Sequence, residues 1–200
     1  MKKSFFLLIA LFFVVSCSGP KLNLQHTPLS INSIIQGKII IGDIKNLREK
    51  ARGSNSFENL GVLRVGSTGI PVPQFTTQGR GLDLIIKSLL NDALLHSGYH
   101  VQMMAENTKI PVLETDIIDY WVDGFVGFAV MSKLRLRLLS SEKRSILLEK
   151  DFTEQTAFSI GDPLASYEEE YNKHLDEILK KIVEFFKSEE FNKSYKLSLT

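Results

Sequence analysis

Cys17 is the only cysteine of the 200-residue chain, and the residues before it determine what its thiol can do. Lys2 and Lys3 provide positive charge, and an apolar run of about 11 residues follows, from Phe5 to Val15. A run of this length is typical of a signal peptide and is too short to cross a bilayer. The sequence Val14-Val15-Ser16-Cys17 matches a bacterial lipobox, in which the thiol is diacylated and the preceding segment is removed. We therefore expect Cys17 to be lipidated.

Two other interpretations of this N-terminus stay open: an ordinary secretory signal that ends near Cys17, and an uncleaved anchor. A general signal peptidase favours small residues one and three positions before its cleavage site, and Val14 occupies the second of these. Ser18 follows the cysteine, in place of the aspartate that retains lipoproteins in the inner membrane of enteric-type bacteria. The sequence thus favours an outer-membrane anchor on Cys17, with the domain facing the periplasm. Two or three acyl chains give stable attachment, whereas one chain binds marginally.

Other reactive side chains form no pattern that specifies a site. We expect no metal and no cofactor, because none of the four histidines has metal-ligand spacing: His26, His96, His100 and His174. Gly79-Arg80-Gly81 precedes a predicted helix, where free amides can meet an anion, but glycines are equally expected at a sharp turn. The run Glu168–Glu170 is typical of a solvated first helical turn, because consecutive residues point around different sides of a helix.

Three aspartates surround Trp121, the only tryptophan, and an acid beside an aromatic ring can indicate sugar binding. Asp116 lies on the opposite strand parity from Asp119 and Asp123, which argues against one shared site. We expect a partly solvated strand end and keep Trp121 as a weak candidate contact. The sequence contains no hydrolase, nucleotide-loop or paired-cysteine motif, so we expect a protein that is not an enzyme.

Composition narrows the class of protein further. Removal of residues 1–16 would leave 184 residues, which is enough for one domain with a hydrophobic core. Loss of Lys2 and Lys3 would change the formal charge from +1 to −1, so no basic excess is left to hold nucleic acid. Lipidation of Cys17 would leave no thiol for a disulfide, and packing must stabilise the fold.

The hydrophobic periodicity predicts an α+β fold with a single, mostly antiparallel sheet of about five or six strands. Two main helices are expected to cover it, at about 81–97 and 163–190, and the second begins at the capping pair Asp162-Pro163. The predicted organisation is a signal peptide at 1–16, a lipidated cysteine and flexible tether at 17–35, one domain at 36–191 and a polar tail at 192–200.

Two successive strands carry complementary charge. Lys133, Arg135 and Arg137 alternate with apolar residues on the first, and Glu149 and Asp151 do so on the second. A hairpin that buries both apolar sets places the acids across from the basic residues. The basic row is therefore either a contact for anionic lipid or lipopolysaccharide or a self-neutralised solvent face, and the acidic partners favour the second. Its three residues remain weak candidates for interaction.

The chain resembles the YajG-type family of small bacterial lipoproteins over about residues 37–186. The resemblance rests on the lipobox and on the order of the elements, with these residues carrying it: Gly42-Asp43-Ile44-Lys45-Asn46-Leu47-Arg48, Gly61, the helix Leu82 to Leu95 with Ser97-Gly98-Tyr99, the strand Leu113 to Trp121 with Val122-Asp123-Gly124, and the following hairpin. It implies an envelope lipoprotein with no catalytic residues to carry over.

We expect a non-enzymatic, lipid-anchored binding or accessory module whose partner is an envelope protein or a lipid. One alternative is an auxiliary lipoprotein of an ABC-type transport or lipid and lipopolysaccharide trafficking system, which predicts an apolar groove beneath one helix. A protein-docking module instead predicts a filled core and an exposed apolar patch. The other alternative is an envelope enzyme, which requires a cleft with buried titratable groups.

Overall fold

A computed structural model of the protein describes residues 21–30, 34–49, 56–65, 70–102, 110–124, 128–142, 145–158 and 164–199. The signal peptide, Cys17 and the predicted helix start at Asp162-Pro163 lie outside these ranges. In chain order the described elements are β1 (Lys21–Leu22), β2 (Gly37–Asn46), β3 (Asn59–Val65), β4 (Ile70–Thr77), α1 (Leu82–His96), β5 (Tyr99–Val101), β6 (Val112–Gly124), β7 (Phe128–Leu139), β8 (Ile146–Phe158), α2 (Leu164–Lys187) and α3 (Glu189–Leu197).

The α+β class is confirmed, but the sheet has eight described strands and is mixed. β6 lies at its centre and pairs antiparallel with β7 along its whole length, and β7 pairs antiparallel with β8. The other edge of β6 has two parallel partners in succession: β2 between Val112 and Ile117, and β3 between Val122 and Gly124. The sheet therefore has two branches on that side. β5 extends the β2 branch, and β4 and then β1 extend the β3 branch.

Arg48 lies where β6 changes partner, and only 2% of its surface is exposed. Its Nη1 donates to the carbonyl oxygens of Asn59, at 2.6 Å, and Tyr120, at 3.1 Å. Its Nη2 donates to the carbonyl oxygen of Ser56 at 2.8 Å, and Nε donates to Oδ1 of Asn46 at 2.9 Å. One side chain thus joins the end of β2, the start of β3 and the middle of β6. The sequence interpretation named this residue among those that carry the family resemblance and predicted no buried role for it.

The helices cover one face of the sheet. The predicted apolar stripe of α1 is confirmed, since these residues are all buried: Leu82, Ile85, Ile86, Leu89, Leu90, Ala93 and Leu94. Gly98 follows with a φ of 89°, a left-handed conformation that favours glycine and ends the helix. The apolar stripe of α2 is buried from Tyr171 to Phe186 and joins the same core cluster as α1 and the inward residues of β7.

The folded body extends on both sides of the predicted 36–191 range. Leu22 and Leu24, in the segment interpreted as a tether, are 3% and 4% exposed and belong to the core. Most of the predicted polar tail lies in α3, where the Ser188 hydroxyl accepts a hydrogen bond from the Phe191 amide at the helix start. Tyr195 of α3 is buried against the start of β2. Both differences arise from contacts with residues distant in sequence.

We expect Arg48→Met to lower the free energy of unfolding by about 3 kcal/mol or more, because it leaves carbonyl groups at the buried junction without their donor. Urea-induced unfolding followed by Trp121 fluorescence measures the change. Arg80→Met is the matched control, since Arg80 is exposed in the turn before α1. Equal unfolding midpoints for the two variants would contradict the role given to Arg48.

Candidate functional site

The predicted charge pairing is confirmed on the face of the sheet opposite the helices, here called the outer face. The β7–β8 register places Arg135 opposite Asp151 and Arg137 opposite Glu149. Arg135 donates to both carboxylate oxygens of Asp151: Nε lies 2.7 Å from Oδ1, and Nη2 lies 3.1 Å from Oδ2. Lys133 Nζ lies 2.9 Å from the same carboxylate. The hydrogen bond from Arg135 contributes most to lowering the pKa of Asp151, to about 2.

Arg137 uses a different partner from the one that the hairpin pattern predicts. Its Nη2 donates to Oδ1 of Asp116 on β6 at 2.7 Å, and Glu114 Oε2 lies 3.6 Å from the same nitrogen. Asp116 is only 3% exposed, so its carboxylate depends on this partner. All three basic residues of the row are therefore engaged within the protein. This pairing sets the three basic residues against four carboxylates, Glu114, Asp116, Glu149 and Asp151, and leaves no basic excess in the row.

A β-bulge corrects the strand-parity argument that separated the aspartates. The β6–β7 register shifts between Ile117 and Asp119, so that Asp116 faces Arg135 and Asp119 faces Lys133. Both aspartates thus occupy positions opposite the basic row, because one extra residue restores their parity. Alternation counted along the sequence cannot detect such an insertion. Asp119 also lies near Arg48, where its carboxylate opposes the lowering of the Arg48 pKa by burial.

An open groove of about 500 Å³, here called the outer groove, lies beside the basic row. Its lining includes Leu47, Ile118, Met131, Lys133, Thr153 and Gln155. Leu47 is 56% exposed, so the groove offers apolar surface to a partner. Trp121 is only 6% exposed and can present little of its ring to one. The groove combines one apolar wall with the lysine end of the charged row.

A serine–histidine pair lies on the opposite side of the same strands. His174 Nε2 is 2.9 Å from Ser132 Oγ, and its Nδ1 is 2.8 Å from Thr156 Oγ1. The third partner is thus a hydroxyl, whereas a catalytic triad places a carboxylate there. His174 is 0% exposed, and burial lowers its pKa to about 4. The imidazole is therefore neutral at pH 7, and its hydrogen bonds satisfy polar groups within the core.

The N-terminal segment, residues 21–30, binds α2 through its backbone. The amides of Asn23, Gln25 and Thr27 donate to side-chain oxygens of α2, at 2.9, 2.9 and 2.7 Å: Glu168, Asn172 and Asp176. Alternate residues of an extended chain are about 6.6 Å apart, and helical residues four apart are about 6 Å apart, so the two repeats match. On the other side, His26 Nε2 lies 2.8 Å from Asp92 Oδ2 of α1.

Sequence reasoning missed these acceptors because it assigned no partner to the α2 surface. Glu168 belongs to the acidic run that was expected to be solvated, yet its carboxylate binds the Asn23 amide. The only signal in the sequence is the spacing of Glu168, Asn172 and Asp176, which places three acceptors on one helix face. Such spacing is common on solvated helices, so it specifies no ligand without the structure.

A second groove, here called the segment groove, lies where the N-terminal segment leaves α2. It has a volume of about 400 Å³ and is lined by these residues: Thr27, Leu29, His96, Asp176, Leu179, Lys180, Val183 and Glu184. Leu29, Leu179 and Val183 provide its apolar wall, and charged groups of α2 surround it. Within the described ranges, no helix is long and apolar enough to cross a membrane. No cluster of at least three potential metal ligands occurs among those residues.

Comparisons with known proteins concern the fold. No family model and no curated protein matches the chain. The structure is similar to that of protein XCC0632 from Xanthomonas campestris, of the family DUF330, with a TM-score of 0.53, 13% identity, and coverage of 82% of this chain and 90% of that one. Lipoprotein GNA1162 from Neisseria meningitidis gives a TM-score of 0.40 at 9% identity, over 74% of this chain and 98% of that one. The first similarity shows a shared fold.

We expect stability to fall as the pH drops from about 6.5 to about 4, because the unfolded chain binds a proton at His174 before the folded chain does. Above pH 6.5 both states are neutral at this residue and the effect disappears. His174→Gln should remove a pH-dependent difference on the order of 1–3 kcal/mol. Urea unfolding at several pH values measures it. The exposed His100, changed to Gln, is the control, and identical pH profiles for both variants would refute the assignment.

Proposed function

We propose that this protein is a non-enzymatic, lipid-anchored envelope lipoprotein whose α+β domain binds another envelope component. The observation that carries the proposal is the lipobox ending at Cys17, directly ahead of a chain that is folded from Lys21 onward. The order of signal, cysteine and domain is that of a lipoprotein, because the acylated residue becomes the N-terminus of the mature chain. YajG-type membership stays a prediction, supported by the motifs given above.

The binding role is supported by the outer face. Exposed Leu47, together with Ile118 and Met131, gives the outer groove an apolar wall, and Lys133 gives it a charged end. Glu49, Asp119 and Glu154 also line this groove. An apolar wall edged by mostly acidic groups suits a protein partner with an apolar anchor and basic side chains, since apolar anchors provide the binding energy and charges set the orientation. Ser18 after the cysteine supports the outer membrane as the location, with the domain facing the periplasm.

We expect the wild-type protein, extracted from cells in a phase-separating detergent, to enter the detergent phase, and Cys17→Ala to stay in the aqueous phase after export. The reason is that two or three acyl chains dominate the partitioning, whereas the domain alone lacks them. Intact mass of the purified wild-type protein identifies the added acyl groups. Ser18→Ala is the matched control and should behave as wild type. Aqueous partitioning of both wild type and Cys17→Ala would refute the lipoprotein proposal.

The segment groove supports a second candidate function, an auxiliary lipoprotein of an ABC-type transport system that binds lipid. That function requires an apolar groove beside a helix, and Leu29, Leu179 and Val183 form one of about 400 Å³. A volume of this size accommodates part of an acyl chain. Lys180 lies on the same rim, where it pairs with Glu177 and has Asp176 and Glu184 nearby, so the apolar wall and not the charge carries this candidate.

If the segment groove binds lipid, Val183→Glu should reduce the amount of bound phosphatidylglycerol roughly tenfold, whether the lipid co-purifies or is added. The reason is that a carboxylate in the apolar wall must be desolvated. Lipid bound to the Cys17→Ala protein is measured by mass spectrometry, which avoids counting the anchor. Lys187→Gln at an exposed position of the same helix changes the charge by the same −1 and is the control for charge. A wild-type groove that holds no added phosphatidylglycerol would eliminate this second function.

A further inference from the structure

The N-terminal segment is held along its length by the folded body. β1 pairs with the end of β4, where Lys21 lies opposite Thr76 and Leu22 lies opposite Thr77. The carbonyl oxygen of Leu22 accepts a hydrogen bond from the Gln78 amide at 2.8 Å. Together with the three amides bound by α2 and the buried leucines, these contacts fix the segment from Lys21 onward.

This docking leaves a short connection to the anchor. Four peptide units join Cys17 to Lys21, and a fully extended chain spans at most roughly 3.3–3.6 Å per residue, or about 14 Å in total. The acylated residue therefore lies within about 14 Å of Lys21 whatever path the intervening residues take. A tether over the whole of residues 17–35, as expected from the sequence, would have allowed about 60 Å at full extension.

We propose that the sheet edge formed by β1 and the end of β4 rests against the bilayer and gives the domain a fixed orientation on the membrane. This inference rests on the proposed lipidation of Cys17. The surface that contacts this sheet edge is the layer of lipid headgroups. The reason is that the short connection from Lys21 cannot bring the acyl chains of Cys17 into the bilayer if another side of the domain faces the membrane. The exposed turn from Gln78 to Arg80 adjoins Lys21 and belongs to the membrane-facing side.

The orientation places β8 on the distal side. The path from β1 through β4, β3, β6 and β7 to β8 crosses five strand spacings, or about 24 Å. A partner of the outer face near β8 is therefore met away from the headgroups. A domain of this size extends only roughly 40–50 Å from the bilayer, so a partner of the outer face binds within that distance of the membrane surface.

Single labels test the orientation, because the only native thiol is the one that the lipid occupies. Gln78→Cys marks the membrane-facing edge and Lys150→Cys marks β8, and both residues are exposed. Each full-length lipidated variant carries a fluorophore and is reconstituted in vesicles of phosphatidylethanolamine and phosphatidylglycerol with nitroxide-headgroup lipid. We expect quenching roughly threefold stronger at position 78 than at position 150, given a separation of about 24 Å or more between the two strands.

A lengthened linker is the matched control. About 20 Gly and Ser residues inserted between Ser18 and Gly19 add roughly 25 Å of flexible reach and should bring the quenching ratio near one. Equal quenching at the two positions without the insertion would overturn the inference, as would a ratio that the insertion leaves unchanged. Vesicle flotation of the same samples separates the two proposals: if the protein does not float, or if Cys17→Ala also floats, the lipid anchor itself is wrong.

Discussion

The sheet depends on a buried guanidinium at the point where its central strand changes neighbours. β6 pairs with β2 and then with β3 on the same edge, and in the described residues β2 and β3 form no strand pairing with each other. The planar guanidinium of Arg48, at the end of β2, donates hydrogen bonds to the carbonyl oxygens of Ser56 and Asn59 near the start of β3. It also donates to the carbonyl oxygen of Tyr120 in β6. Desolvation of this charge lowers the pKa of Arg48, so the arrangement is stable only while its donors are used. A neutral side chain of similar volume has no equivalent set of donors.

The two grooves lie at different distances from the branch point that Arg48 closes. The β3 branch carries β4 and β1, which leads the N-terminal segment onto α2, whereas the β2 branch carries β5 and continues from α1. The segment groove lies where that segment passes α1 and α2. The outer groove lies near the same junction, because Leu47 directly precedes Arg48 and Asp119 follows the bulge of β6. The outer groove thus adjoins the irregularity in the central strand, whereas the segment groove is lined by the N-terminal segment and the helices.

The elements that sequence predicted well are those whose signal lies within one segment. The three- and four-residue repeat of α1 and the alternation in the β7–β8 hairpin each identify a buried face without knowledge of a partner. Three features could not be recognised from one segment alone, because each is defined by its contacts with another segment. They are the bulge before Asp119, the role of Arg48 and the docking of the N-terminal segment. The Asn23 amide, for example, binds Glu168, 145 residues away. The sequence interpretation described the N-terminal segment as a flexible tether, and its local composition gave no reason to place it in the fold.

Because the N-terminal segment binds α2 largely through its backbone, residues of α2 help to determine the orientation of the domain on the membrane. Three of the groups of the N-terminal segment that bind α2 are main-chain amides, so these donors exist whatever side chains the segment carries, proline excepted. The Thr27 hydroxyl adds one side-chain donor to Asp176. The acceptors are side chains of α2, and only the four-residue spacing of Glu168, Asn172 and Asp176 matches the repeat of an extended chain. The register of the segment, and with it the distance from the anchor to the domain, is therefore specified by a helix near the other end of the chain together with the pairing of β1 and the burial of Leu22 and Leu24. A change in α2 can lengthen the connection to the membrane without altering any residue near Cys17.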